Sequence, residues 1–208
     1  MKKSLQRASL VLVLAGSTLG LSACFPLLVG GAVTGAMVAT DRRTSGTVVE
    51  DESIELKASA SVRNNIGERV HINITSYNRQ VLITGEVPSA QDKQLVEKVV
   101  ASVENVRNIV NEAAVMGNST FTQRSSDSLV TGRVKAGLID AQDLSANAFK
   151  VVTEHGTTYI MGRVTQREAT RATEVIRGTD GVQRLVRVLE IVSEEELARM
   201  QPQPAPAK

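Results

Sequence analysis

Cys24 is the only cysteine among the 208 residues, and it directly follows the small residues Ser22 and Ala23. The preceding residues have the three parts of a secretion signal: a basic start, an apolar run from Leu10 to Leu21, and small residues at the end. The apolar run is too short to span a bilayer comfortably. The pattern predicts that residues 1–23 are a signal peptide and that the mature chain begins with the thiol of Cys24.

The Leu-Ser-Ala-Cys sequence that ends at Cys24 resembles the bacterial lipobox. In that motif the thiol is diacylated, the chain is cleaved before it and the new amine is acylated, so Cys24 is the predicted lipidation site. Two lipid signals already give stable anchoring, and three acyl chains should hold the protein on a membrane permanently. The alternative is an ordinary cleaved signal and a spare cysteine, although cysteines in an oxidising periplasm usually occur in pairs.

Composition limits the possible partners. The formal charge of +2 becomes −1 once the three basic residues of the signal are removed, so nucleic-acid binding by bulk charge is not expected. With no Trp, two Tyr and three Phe, the core must consist of Val, Ile, Leu and Ala. Such a chain lacks the aromatic platforms that stack on bases or sugars.

An internal repeat covers most of the mature chain, with one copy at residues 70–115 and another at 147–192. Gly85 aligns with Gly162 at an offset of 77 residues, and the offset is 76 by Val182. Alternating apolar residues around a turn predict a hairpin in each copy, and a helix and a third strand follow it. A second helical pattern precedes each hairpin. The predicted unit is helix-strand-strand-helix-strand.

Caps and apolar stripes define the predicted helices. Residues 165–168 form a capping box, and Pro88-Ser89 opens the equivalent helix of the first copy. The stripe predicted to cover the first hairpin is Leu95, Val99 and Val103. Ahead of the hairpins, the predicted stripes are Ile54, Ala58, Val62 and Ile66 in copy one and Val130, Val134 and Leu138 in copy two. The glycine inside the second strand of each copy suggests a bulge or a close backbone approach.

This repeated unit, with a glycine in its second strand and Gly-Val before its third, resembles the BON domain. Two such units behind a lipobox resemble the dual-BON outer-membrane lipoprotein family, and residues 39–43 also match that group. The resemblance implies an α+β fold of two tandem BON domains, each a small sheet of about three strands covered by two helices. The predicted division is a lipidated apolar and linker segment at 24–50, domain 1 at 51–116, a linker at 117–125, domain 2 at 126–193 and a disordered tail at 194–208.

The same resemblance implies phospholipid binding at the periplasmic face of the outer membrane, support of the permeability barrier and association with division sites. Phe25 agrees with this location, because lipoproteins retained at the inner membrane typically have Asp after the cysteine. A second function class remains open, a periplasmic adaptor that recruits or regulates another envelope protein such as a cell-wall hydrolase system.

A site for anionic phospholipid needs cations beside exposed apolar residues. The best candidate lies in residues 128–141, where Arg133 and Lys135 flank Val134 and Leu138. The alternative is that Val134 and Leu138 pack under the sheet while the two charges are solvated.

The sequence offers few residues in arrangements that could support catalysis. His71 and His155 occupy non-equivalent positions of the repeat, and both are interpreted as solvated surface residues. No metal-ligand spacing, phosphate loop or serine elbow occurs. We therefore expect no enzyme, no metal, no small-molecule substrate and no cofactor, apart from the covalent diacylglycerol and N-acyl group on Cys24.

Overall fold

The computed structural model describes residues 41–200, so the predicted signal, Cys24 and the last eight residues lie outside the described part. Within it two α+β units follow one another along the chain. The predicted fold class and the order helix-strand-strand-helix-strand are confirmed in both units. In this described part no helix has the length and apolar character needed to cross a membrane.

Domain 1 is a sheet covered by two helices. Its elements are α1 (Ser45–Ile66), a 3₁₀ turn (Gly67–Arg69), β1 (His71–Tyr77), β2 (Gln80–Val87), α2 (Ala90–Ala101), β3 (Asn108–Asn111) and β4 (Ala114–Val115). Strand β2 lies in the middle, antiparallel to β1 and parallel to β3 and β4. The third strand predicted for this copy is thus divided in two. The division falls where the side-chain oxygen of Asn111 accepts a hydrogen bond from the backbone of Ala113.

Domain 2 repeats the arrangement with an unbroken third strand. Its elements are α3 (Phe121–Asp140), a 3₁₀ turn (Ala146–Ala148), β5 (Phe149–Glu154), β6 (Thr157–Val164), α4 (Gln166–Arg177) and β7 (Arg184–Ile191), and a short helix α5 (Glu194–Met200) follows. Strand β6 is antiparallel to β5 and parallel to β7. The predicted capping box at the start of α4 is confirmed.

Apolar side chains from the two sheets pack together between the domains. One core cluster lies under the helices of each domain, and the predicted stripes of α1 and α3 belong to these clusters. A third cluster joins the domains through Tyr77, Leu82, Tyr159, Met161 and Val188. Both faces of β2 are therefore covered, which explains why all residues from Val81 to Val87 are buried.

The stripe predicted for α2 is confirmed at Val99 and Val103, which are partly buried and pack against the domain 1 core, but it is wrong at Leu95, which is 37% exposed. The fully buried residues of this helix are Val96 and Val100, which the prediction omitted. The segment holds two overlapping rows of apolar residues with a spacing of four, and the sequence pattern alone did not show which row is more deeply buried.

Both predicted disordered or linking segments contain ordered helix. Helix α3 begins at Phe121, inside the predicted linker, because the Thr120 side chain caps it by accepting from the backbone of Gln123. The predicted tail begins with α5, whose residue Leu197 is buried. The acidic run at 194–196 is therefore the first turn of a helix, where the helix dipole stabilises negative charge.

The glycine of each second strand allows two backbones to approach closely. A Cβ atom at Gly85 would lie 2.1 Å from the carbonyl oxygen of His71, and one at Gly162 would lie 2.3 Å from that of Ala148. No side chain fits at such distances. The predicted close approach is confirmed at both positions.

The corrected phase of α2 gives a matched pair of substitutions. We expect Val96→Ala to lower the free energy of unfolding by about 2 kcal/mol, because it opens a cavity in the domain 1 core. Leu95→Ala should cost less than about 1 kcal/mol, because its side chain is partly in solvent. Urea unfolding followed by circular dichroism measures both, and a larger loss for Leu95→Ala would contradict the observed packing.

Candidate functional site at the domain seam and on helix α3

An aspartate from the first helix of each domain holds the hairpin turn beneath it. Asp51 accepts hydrogen bonds from the backbone N–H groups of Asn78 and Arg79, each at 2.7 Å. Asp127 accepts from both backbone N–H groups of the turn at 155–156, each at 2.9 Å. All four turn residues have positive φ angles. The aspartates occupy equivalent positions of the repeat, a device that the sequence pattern had not indicated.

The buried carboxylate of Glu86 joins the two domains through the two histidines of the chain. Glu86 lies on β2 and is fully buried. His71, opposite it on β1, contacts one carboxylate oxygen through Nδ1 at 2.8 Å. His155, in the hairpin turn of domain 2, contacts the other oxygen through Nε2. One carboxylate thus binds an imidazole from each domain.

The remaining ring nitrogens contact the first turn of α3 and fix the tautomers. Nη1 of Arg124 lies 3.0 Å from Nε2 of His71, and a guanidinium can only donate, so that nitrogen accepts. Nδ1 of His71 therefore carries the proton donated to Glu86. The side-chain amide of Gln123 lies 2.7 Å from Nδ1 of His155, which leaves Nε2 of that ring to donate to Glu86.

The interpretation of both histidines as solvated surface residues is wrong. The exposed fractions of their side chains are 28% for His71 and 19% for His155. Burial alone would raise the pKa of Glu86, but hydrogen bonds from His155, Ser119 and His71 outweigh it, and the pKa of Glu86 is lowered. A signal was present in the sequence, since Glu86 is the one charged residue of β2.

Asp41, Arg42 and Arg43 form a strap across the two domains. Arg42 binds Glu168 on α4 with two hydrogen bonds, at 2.6 and 2.8 Å, and donates to the carbonyl of Arg163. Both charged side chains of this pair are nearly buried, with 7% and 4% exposed. Arg42 therefore binds domain 2 although it lies just before the first helix of domain 1.

The next residue of the strap binds domain 1. Arg43 donates to Asp51 at 2.8 Å and to Asp41, and its guanidinium lies over the ring of Tyr77, 4.3 Å from the centroid. Burial opposes the charged form of Arg43, but these carboxylates raise its pKa. The prediction of a linker over 24–50 is thus wrong for these residues.

Further polar pairs link the two domains along the boundary between their sheets, which we call the seam. They are Asn73 with Glu154, Asn78 with Glu190, Lys150 with Glu55, and Arg184 with Glu112. Burial raises the pKa of Glu154, and the nearby charges of Glu86 and Asp127 add to this effect, against the hydrogen bond from Asn73. Among residues 41–200 no group of three or more His, Asp or Glu side chains is arranged to hold a metal ion.

Helix α3 carries the predicted phospholipid site, but the structure divides it. Val134 and Leu138 are buried in the domain 2 core, which is the alternative that the sequence left open. Neither can contact lipid while the domain is folded, so this part of the candidate is corrected. Arg133 and Lys135 are exposed, as the proposed site requires.

Large apolar side chains that the sequence prediction omitted lie on the outer face of α3. Phe121, Leu129 and Ile139 are 80%, 65% and 68% exposed. At 3.6 residues per turn the three positions lie on one side of the helix, opposite Val134 and Leu138. We define Phe121, Leu129, Arg133, Lys135 and Ile139 as the outer face of α3.

Comparison with known proteins assigns both units to one family. The BON domain matches residues 50–117 and 126–193. Outer membrane lipoprotein DolP of Haemophilus influenzae is 34% identical over 178 residues, which cover 85% of this chain and 92% of that protein. The 21 kDa hemolysin of Actinobacillus pleuropneumoniae is 30% identical over 154 residues, covering 73% of this chain and 79% of the relative.

A solved structure, the C-terminal domain of CdsD from the type III secretion system of Chlamydia trachomatis, also aligns with this chain. The alignment covers 66% of this chain and 96% of that domain at 10% identity, with a TM-score of 0.29. This likeness is too weak to support a conclusion about partners.

Two buried glutamates of the seam should respond oppositely to neutralisation. Burial would raise the pKa of Glu168, but hydrogen bonds from Arg42 and the Thr165 backbone lower it from the ordinary 4.5, so its charge stabilises the fold at pH 7. The raised pKa of Glu154 means that its charge destabilises the fold there. We expect Glu168→Gln to lower the melting temperature at pH 7 and Glu154→Gln to raise it.

The pH dependence provides the control for this pair. As the pH falls to the ordinary carboxyl pKa of 4.5, Glu154 with its raised pKa becomes protonated in the fold, so the effect of Glu154→Gln should disappear first. Glu168 with its lowered pKa stays charged in the fold at that pH, so the effect of Glu168→Gln should shrink only below 4.5. Thermal unfolding at pH 7 and at lower pH measures this. Equal signs for the two variants at pH 7 would contradict the charge assignment.

Proposed function

Because the chain belongs to the family of BON-domain proteins, we propose that it is a lipid-anchored outer-membrane protein that binds anionic phospholipid and supports envelope integrity and division. Acylation of Cys24 would attach it to the leaflet of the outer membrane that faces the periplasm. The outer face of α3 would supply direct contact with lipid. This function requires no catalytic residue.

The single observation that carries the lipid-binding proposal is the composition of the outer face of α3. Three large apolar side chains are mostly exposed there, spaced along one side of the helix. Arg133 and Lys135 flank them and can meet the phosphate of a headgroup while the apolar side chains meet acyl chains. This combination fits the surface of an anionic bilayer.

The expected magnitudes suit a weak site that acts beside an anchor. Burial of a large apolar side chain contributes about 1.5–3 kcal/mol, and a basic residue near an anionic surface contributes about 1 kcal/mol. The chain from Cys24 to Asp41 spans at most roughly 60 Å when extended, so an anchored protein stays near its leaflet. A tether of this length raises the effective concentration of lipid at α3, and a weak contact is then sufficient.

The outer face is tested by vesicle binding of the mature chain carrying Cys24→Ser, which removes the acyl chains. We expect Leu129→Glu with Ile139→Glu, and separately Arg133→Glu with Lys135→Glu, to weaken binding to anionic vesicles at least about tenfold. Flotation or surface plasmon resonance on vesicles with phosphatidylglycerol measures the affinity.

Helix α1 offers the matched control, because Leu56 is 74% exposed and Lys57 is also exposed. Leu56→Glu with Lys57→Glu should change the affinity less than about twofold, since α1 is not part of the proposed site. Unchanged binding by both α3 variants would reject the outer face. Absence of vesicle binding by the unsubstituted chain would favour the adaptor function instead.

Anchoring is tested separately at Cys24. We expect mass spectrometry of the native protein to find three acyl chains on the first residue, and Cys24→Ser to move the protein from the membrane fraction to the soluble fraction. An unmodified thiol at the start of the mature chain would contradict the proposal. Neither result depends on helix α3.

A further inference from the structure

Both histidines of the chain bind one buried carboxylate, and both also contact the first turn of the helix proposed to bind lipid. Histidine is the side chain that ordinarily changes its charge between about pH 5 and pH 8. No third histidine occurs in the chain. A response of the two domains to pH in this range therefore points to the seam around Glu86.

The contact between His71 and Arg124 requires a neutral imidazole. Nε2 of His71 accepts from Nη1 of Arg124 at 3.0 Å, while Nδ1 donates to Glu86. A second proton on His71 would place two donors against each other and two positive charges 3.0 Å apart. Protonation of His71 and its contact with Arg124 therefore exclude each other.

His155 lacks this restriction. Its Nδ1 contacts the side-chain amide of Gln123, which can rotate and present its oxygen to a protonated ring. Its other nitrogen can go on donating to Glu86 in either state. Protonation of His155 thus keeps both contacts, so the link between the domains through Glu86 is retained.

Charges of both signs surround His71. The carboxylates of Glu86 on β2 and Glu154 on β5 lie near its ring, as does the guanidinium of Arg124 on α3. His155 shares the carboxylate of Glu86. At the end of α1, Arg63 and Glu68 line the same surface groove as His71 and carry opposite charges. Among these contacts, the one with Arg124 is the contact that a doubly protonated His71 cannot keep.

We infer that His71 is a pH-sensitive latch on helix α3, and that its protonation releases Arg124 to strengthen binding to anionic phospholipid. Arg124 precedes Lys135 by about three helical turns, so both lie on the same side of α3. The released guanidinium would extend the basic flank of the outer face. This inference rests on the proposed function, because it assigns a regulation to the same helix.

The experiment uses the mature chain with Cys24→Ser and vesicles containing phosphatidylglycerol. One additional basic residue at an anionic surface corresponds to about a fivefold gain in affinity, so we expect binding to strengthen about fivefold from pH 7.5 to pH 5.5. His71→Gln should abolish the gain, because Gln can donate to Glu86 and accept from Arg124 without titrating. Arg124→Gln should abolish it as well.

His155→Asn is the matched control. The equivalent turn position in domain 1 is Asn78, which has the same left-handed backbone, so Asn fits there. This variant should keep the pH response, and vesicles of phosphatidylcholine alone should show none. Persistence of the response in His71→Gln, or its loss in His155→Asn, would overturn the inference.

A second measurement separates this inference from the proposed function. Nuclear magnetic resonance without lipid should show the Arg124 side-chain signal changing in step with the ring signals of His71 as the pH falls. An Arg124 signal that stays constant through the titration of His71 overturns the latch, whatever the vesicles show. If the chain binds no vesicle at any pH, lipid binding and its regulation both fail, and the Arg124 signal then tests the contact alone.

Discussion

The carboxylate of Glu86 is the group on which the arrangement of the two domains depends. It is fully buried, and a buried charge is costly unless hydrogen bonds satisfy it. One of its histidine partners lies in its own sheet and the other in the hairpin turn of the second domain. Separation of the domains would remove the His155 partner from this buried charge, so the seam favours one relative placement of the two sheets.

Apolar packing provides contact area between the two domains, and the polar contact at Glu86 fixes their relative orientation. Residues on β2 face the helices of domain 1 on one side and the second domain on the other, and Leu82 belongs to the cluster shared between the sheets. A helix-covered sheet would usually turn its other face to water. Here each sheet covers the other, and the helices lie outside, where the outer face of α3 remains accessible.

Periodicity was sufficient to predict the repeated unit, because buried positions recur with the spacing of each element. It predicted the stripe of α1 and the close approach at Gly85, both of which depend on local geometry. In α2 it missed the fully buried pair Val96 and Val100, because Leu95 and Val96 begin two equally plausible stripes. Periodicity could not predict the roles of His71 and Arg42, because their partners are distant in sequence and belong to another strand or to the other domain.

Duplication usually produces modules that can be exchanged or expressed singly, but the strap makes these two copies inseparable. A fragment that begins after Arg42 would keep Glu168 buried on α4 without its counter-charge. A fragment of the first copy alone would expose Tyr77 and Leu82 to water. Transfer of either copy to another protein would therefore have to include the three strap residues from outside the repeat. An insertion between the copies would have to preserve the position of one sheet against the other.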